Sequence, residues 1–223
     1  MRVVDAVSFG TLEDLAEALR AGGNPNAYDH HKLTPLHWAM SRFSNSNQNV
    51  EKIRLLLEAG ANPNAIDATG NTPMVDAVTD GRMDLIELLR RFGASLKCES
   101  DCGSLIADAV LGRQLQLIPF LVREGVEINL ISRDGFTPLM LAAGNGVADA
   151  IPVLLANGAK VDLRDSNHGL TAYLHAALVG DKAAGRMLIE AGADPSARTN
   201  DGKTATALAT ENGHDWSEFP VGH

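Results

Sequence analysis

Six glycines constrain the fold of this chain more than any other feature. Gly22, Gly60, Gly93, Gly125, Gly158 and Gly192 each close the same phrase, clearest in Leu55-Leu56-Leu57-Glu58-Ala59-Gly60-Ala61-Asn62-Pro63-Asn64. By subtraction, the intervals between them are 38, 33, 32, 33 and 34 residues. A phrase that recurs at this step implies one supersecondary unit repeated along the chain. Such a unit cannot bury its apolar face alone and folds by stacking on its neighbours.

A second phrase keeps the same step. Leu33-Thr34-Pro35-Leu36-His37-Trp38-Ala39, Thr72-Pro73-Met74 and Phe136-Thr137-Pro138-Leu139 carry it well. Ser104-Leu105-Ile106, Thr171-Ala172-Tyr173 and Thr204-Ala205-Thr206 carry it weakly. With these two phrases locked together, the chain resembles the ankyrin-repeat family, whose period is about 33 and whose signature is Thr-Pro-Leu-His-x-Ala. The resemblance runs from about Val3 to Gly213. It implies an all-α solenoid of helix-turn-helix units with short β-hairpin fingers. We read one domain over 1–223. An amino-terminal cap covers 1–32, repeats cover 33–70, 71–102, 103–135, 136–169 and 170–202, and a carboxy-terminal cap with a frayed tail covers 203–223.

Local chemistry agrees with this division. Thr34 can cap a helix through its hydroxyl, and Pro35 suits the first helical position. Leu36, Ala39 and Met40 then share one helical face. Met83–Leu89 carries a second apolar stripe, and Gly93 supplies the left-handed residue that ends such a helix. Pro119 and Pro152 stand in one column and are predicted in the first turns of second helices, where a missing N–H costs little. Asp29, Asp67, Ser132, Asp165 and Thr199 are predicted at finger tips, where each can hydrogen-bond its own turn. The long first interval places its surplus in the polar stretch Phe43–Asn49, read as a loop between two helices. The 103–135 repeat is degenerate, with Ser104-Leu105 in place of Thr-Pro and Cys102 in place of Gly.

Composition narrows the function classes. Acidic residues number 28 against 19 basic, a net charge of -9. That disfavours nucleic acid, whose phosphates require Lys and Arg, and favours a partner protein with a basic surface. Two cysteines make no disulfide framework, which points to a reducing, cytoplasmic setting. The start Met1-Arg2-Val3-Val4-Asp5 lacks a signal-peptide hydrophobic region, and no apolar run is long enough to span a bilayer. The free protein is expected to be a monomer without cofactor.

Candidate chemistry is sparse. Cys98-x3-Cys102 offers two thiols where zinc needs three or four ligands, so a metal or redox role is the minor reading. His30-His31 has no third ligand in view, and His37 belongs to the repeat signature. Asp165-Ser166-Asn167-His168-Gly169 resembles a calcium loop but lacks the closing glutamate. Gly144-Asn145-Gly146 lacks the preceding strand of a phosphate loop. No activated nucleophile or metalloprotease motif occurs, so no catalytic residue is assigned.

The acids form a pattern instead. Asp5, Asp76 and Asp108 occupy one column of the first helices, within Val4-Asp5-Ala6-Val7, Val75-Asp76-Ala77-Val78 and Ala107-Asp108-Ala109-Val110. The family resemblance implies that first helices and fingers line a concave binding face. By matching columns to the family's variable positions, the partner-binding candidates are Trp38, Arg42, Asp76, Asp80, Asp101, Asp108, Asp134, Phe136 and His168. Two readings follow. One is a protein-protein interaction module. The other is a dedicated inhibitor or immunity protein that blocks a basic enzyme such as a toxin nuclease, with the acids competing for the cations that hold its substrate.

Overall fold

Each repeated phrase folds as two packed helices followed by a finger. The structure, a computed structural model, describes residues 2–41, 47–97, 104–132 and 134–219. Arg42, most of the polar stretch after it, Cys98, Asp101 and Cys102 lie outside the described residues. The chain divides into two compact units, Met1–Cys102 and Gly103–His223.

The first unit contains α1 (Val3–Phe9), α2 (Leu12–Arg20), α3 (Pro35–Met40), α4 (Asn47–Glu58), α5 (Pro73–Thr79) and α6 (Met83–Arg91). The first helices α1, α3 and α5 pack in one row, and the second helices α2, α4 and α6 in another. The second unit contains α7 (Leu105–Leu111), a 3-10 turn (Leu115–Leu117) leading into α8 (Ile118–Arg123), α9 (Pro138–Gly144), α10 (Ala150–Ala156), α11 (Ala172–Val179), α12 (Lys182–Glu190) and α13 (Ala205–Glu211). Here α7, α9, α11 and α13 form one row, and α8, α10 and α12 the other.

One column explains how six-to-eight-residue helices can pack so closely. Ala6, Ala39, Ala77, Ala109, Ala142, Ala176 and Ala209 sit at the same position of successive first helices, and all are buried. A methyl group there lets neighbouring helices approach, and larger apolar side chains such as Leu36, Met74, Ile106 and Leu139 fill the space beside it. The chain therefore needs few aromatic residues. Capping fixes where the first helices begin. The hydroxyls of Thr34, Thr137, Thr171 and Thr204 accept from the amides of His37, Met140, Leu174 and Ala207. Thr72 and Ser104 make no such bond. Gly60 and Gly93 follow the second helices with φ of 86° and 88°, a region that a side chain would strain.

Fingers are held to the following repeat by carboxamides. Asn64 Nδ2 donates to Gly93 O at 3.0 Å, and its Oδ1 accepts from Ser95 N at 2.8 Å. Asn26 repeats this on Gly60 and Asn62, and Asn129 on Gly158 and Lys160. Backbone bonds close the described fingers, as in Asp67 N to Asn71 O at 2.9 Å with Gly70 N to Asp67 O at 3.2 Å, or Ser132 N to Phe136 O at 2.8 Å with Gly135 N to Ser132 O at 2.9 Å. Among the described residues a single strand-type bridge forms, between Arg198 and Thr204. The fingers are thus hairpin stubs, because their arms are too short for a ladder.

Two features differ from the sequence expectation. Helix α4 begins at Asn47, inside the stretch read as a loop, and runs for 12 residues. Asparagine does not prevent a helix from extending back when its following turns are packed. The carboxy-terminal tail is not frayed as far as Phe219. Trp216 and Phe219 are buried and stack at 4.2 Å, and Trp216 Nε1 donates to Tyr173 Oη at 3.1 Å. Gly185 of α12 makes room for them, since a Cβ there would lie 2.8 Å from the indole ring. The tail covers α11 and α12 with aromatic rings where another repeat would supply a helix. Lys182–Asp215 and Arg186–Glu218 pair along its rim.

Candidate functional site

Counting four residues on from each capping position gives Trp38, Asp76, Asp108, Leu141, His175 and Leu208 in one column of the first helices, with Asp5 in the cap. Two of these side chains, Trp38 and His175, bond to a finger. Trp38 Nε1 donates to Asp29 Oδ2 at 2.8 Å, while Asp29 Oδ1 accepts from the amides of His31 and Leu33. His175 Nε2 meets Asp165 Oδ2 at 3.1 Å, while Asp165 Oδ1 accepts from the amides of Asn167, His168 and Gly169. In both repeats a side chain of the first helix ties down the turn-forming carboxylate of the finger before it. Sequence reading took Trp38 as a direct contact. Its half-buried indole N–H is committed to the finger, and its ring remains as contact surface.

Electrostatics follow from these bonds. Burial of the Asp165 carboxyl pushes its pKa up, but donation by three amides and the nearby imidazole outweighs that and holds it below the usual carboxylate range. Burial pulls the His175 imidazole below its ordinary value, against the opposing pull of Asp165. Neutral His175 then carries its proton on Nε2 and gives it to the carboxylate. Phe136 lies edge-on to the His175 ring, with centroids 5.3 Å apart at 85°. It is half-buried, so the finger residue Phe136 both packs and presents an edge.

The remaining candidates distribute as follows. Asp76, Asp80 and Asp108 are half-buried, and Asp134 and His168 are exposed. Arg42 and Asp101 lie outside the described residues. Asp134 and His168 stand on successive fingers of the second unit, tied by Asn167 Nδ2 to Asp134 O at 2.8 Å, and Asn200 N to His168 O at 2.8 Å ties the second of them to the finger that follows. Asp5 is not a bare acid, because Arg2 pairs with both of its oxygens at 2.9 Å.

Metal chemistry gains nothing from the described residues. No group of three or more His, Cys, Asp or Glu side chains among them could hold an ion. The His30 and His31 rings lie 3.8 Å apart and exposed. The Asp165 loop, which resembled a calcium loop, spends its carboxylate on its own amides and on His175. His37 is structural. Its Nδ1 accepts from the Thr34 amide at 3.3 Å, and Nε2 faces Asn71 O at 3.4 Å.

Sequence reading missed a further column. Tyr28, Ile66, Ile131, Arg164 and Arg198 each stand immediately before a finger-tip turn residue. Tyr28 is 56% exposed, Ile66 40% and Ile131 46%, beside Leu130 at 39%. The signal was present in the sequence as a bulky residue recurring in an otherwise small and polar turn.

Comparison with known proteins agrees with this architecture. The family model described as ankyrin repeats, in three copies, matches residues 3–100 and 106–199. The Danio rerio protein ZDHHC13, assigned as a palmitoyltransferase, is 28% identical over 211 residues, which are 94% of this chain and 32% of that protein. The fowlpox virus ankyrin repeat protein FPV031 is 36% identical over 126 residues, 54% of this chain and 37% of that protein. The chain thus spans about a third of the length of these curated relatives. The human ASB11 ankyrin repeat domain superposes with a TM-score of 0.76 at 27% identity, covering 94% of this chain and 91% of that one. The Bcl-3 ankyrin repeat domain, at 24% identity and a TM-score of 0.75, shares the fold. Among the described residues no helix is long and apolar enough to cross a membrane.

Proposed function

This chain belongs to the ankyrin-repeat family, and from that premise we propose that it is a non-catalytic recognition module that holds a partner protein against its fingers and the adjoining ends of its first helices. One observation carries the reading. Tyr28, Ile66, Leu130 and Ile131 are exposed on fingers whose turns are fixed from below by Asx and hydroxyl hydrogen bonds. Preorganised apolar and aromatic side chains lose little entropy on binding, and such residues dominate interface energy. Trp38 belongs to the proposed surface in the first unit, and Phe136, Asp134 and His168 to that of the second. Asp76, Asp80 and Asp108, with Arg42 and Asp101 by column, extend the proposed surface along the first helices, where the acids favour basic groups of the partner in a cytoplasmic setting.

The test is site-specific photocrosslinking in a native lysate. A benzophenone side chain at position 66 or 131 is expected to yield discrete adducts with a partner protein. The same group at the exposed second-helix positions Glu58 or Arg123 is expected to yield none. Equal adducts from both faces would refute the finger surface. The inhibitor reading requires more than this, namely loss of the captured partner's own activity in the saturated complex.

A further inference from the structure

The second unit changes the character of the finger column from apolar to cationic. Ile131 is followed, one repeat on, by Arg164 and, one further on, by Arg198, and both arginines are exposed. Neither joins the ion pairs described in that unit, which link Arg113 to Asp149, Lys182 to Asp215, Arg186 to Glu218, and Lys203 to Asp201 and Glu211. Their guanidinium groups are nevertheless fixed. Arg164 Nη1 donates to Gly169 O at 2.8 Å and to the carbonyl of Arg198, and Arg198 Nη1 donates to Gly202 O at 3.2 Å. Each arginine thus gives one nitrogen to its own finger and keeps the rest of its fork of N–H donors for solvent. The turns beneath are hydrogen-bonded. Arg164 precedes the buried Asp165, which is locked by three amides and His175, and Arg198 lies in the bridge to Thr204.

The two arginines stand on neighbouring fingers, and the Arg164 guanidinium reaches the backbone of Arg198. Arg164 lies close enough to Asp194 to help hold that carboxyl below its usual range but forms no described ion pair with it, so its remaining N–H donors, like those of Arg198, are open to an external anion. A planar fork held in place suits carboxylates, which it meets bidentately at low entropic cost. From this we infer that the fingers of the second unit dock an acidic segment of a partner protein, with carboxylate side chains on Arg164 and Arg198. This deepens the recognition reading above and rests on it. It also qualifies the expectation from net charge. Although the chain is acidic overall, a contact is decided by the groups that meet, and the finger face here presents cations.

The experiment is side-chain NMR on the whole chain, observing the arginine Nε–H signals. The probe is a blocked octapeptide of alternating glutamate and alanine, with the same peptide carrying glutamine or lysine in place of glutamate as controls. The Arg164 and Arg198 signals, assigned by Arg164→Gln and Arg198→Gln, are expected to shift saturably at millimolar glutamate peptide. They are expected to stay within error with the glutamine and lysine peptides, and the shifts should shrink severalfold as salt is raised. The double variant, checked for an unchanged unfolding midpoint, should bind the glutamate peptide no better than the glutamine peptide. No saturable shift, an equal shift with the glutamine peptide, or stronger binding of a single-stranded oligonucleotide than of the glutamate peptide would overturn the inference. Crosslinking from positions 66 and 131 is read separately, so recognition by the fingers can stand even if the acidic specificity fails.

Discussion

Ser104 and Thr137 hold the same place ahead of α7 and α9, yet the same substitution is expected to move stability in opposite directions. Thr137 is buried, and its hydroxyl accepts from the Met140 amide at 3.3 Å. Alanine there removes a helix cap, costing about 1 kcal/mol, and a buried methyl group worth about 0.8 kcal/mol. Thr137→Ala should therefore destabilise by roughly 2 kcal/mol. Ser104 is equally buried, but its Oγ has no hydrogen-bond partner. A stranded hydroxyl carries a desolvation penalty of about 1–3 kcal/mol. Ser104→Ala lifts that penalty and breaks no bond, so it should stabilise by about 1 kcal/mol. Both residues lie in the second unit, so one transition reports on both. Trp216, buried in that unit, is the probe, in a Trp38→Phe background that leaves it the sole tryptophan. Urea midpoints at unchanged slope give the free energies. A loss on Ser104→Ala as large as on Thr137→Ala would show that the serine does cap its helix and would refute the reasoning.

Three further outcomes are expected. Burial holds the folded pKa of His175 below its ordinary value, so the unfolded chain binds that proton first. The stability it lends is complete above about pH 6.5 and is lost as pH falls below that. The urea midpoint of the second unit should drop between about pH 7.5 and about pH 5, and His175→Gln should flatten that slope; an unchanged slope contradicts the assignment. Trp216→Ala removes the ring that stacks on Phe219 and bonds Tyr173, and should cost about 3–5 kcal/mol in the same assay. A cost under about 0.5 kcal/mol, the range of ordinary surface changes, would mean that the tail does not cap the array. Asn64→Ala breaks the bonds to Gly93 and Ser95 and should lower the first unit's stability by roughly 1–2 kcal/mol. Asn64→Asp keeps only the acceptor and should fall between, and equality with wild type would remove the carboxamide ladder from the account.

Most of the fold was legible because its determinants are local and repeated. A threonine that caps, a proline at the first helical position and a glycine forced to positive φ each act within a few residues, and repetition separates them from chance. Pro119 and Pro152 were legible for the same reason, and both fall in the first turns of α8 and α10. The tail was not legible. Trp216 and Phe219 are buried only because Gly185 and Tyr173, more than 30 residues earlier, leave a socket for them, and a single sequence does not show which distant glycine faces which ring. The start of α4 was misjudged because asparagine and glutamine read as loop by composition, whereas burial of Asn49, Ile53 and Leu56 decides. At the candidate site, charge drew attention to the acids. The bulky finger column from Tyr28 to Arg198 was equally periodic and was overlooked because it mixes apolar and cationic residues.

The acidic column takes on a different meaning once Trp38 and His175 are seen to share it. At those two positions the side chain is a hydrogen-bond donor, and it holds the carboxylate of Asp29 or Asp165. At Asp76 the column carries a carboxyl side chain in place of an indole or imidazole. The finger residue equivalent to Asp29 is Asp67, whose described bonds all fall on Oδ1, from Thr69 and Asn71. Trp38 and His175 thus tie the second oxygen of a finger carboxylate to the helix that follows it. Trp38 and His175 tie the Tyr28 and Arg164 fingers to their helices, and the Ile66 finger is held by its own turn and by Asn64. Recognition that draws on rigid fingers should then be most sensitive to Trp38 and His175, even if neither touches the partner. Replacing Trp38 by phenylalanine keeps the ring and removes the donor. It should weaken partner capture through Tyr28 while leaving capture through Ile66 unchanged, and an equal loss at both fingers would place Trp38 in the contact itself.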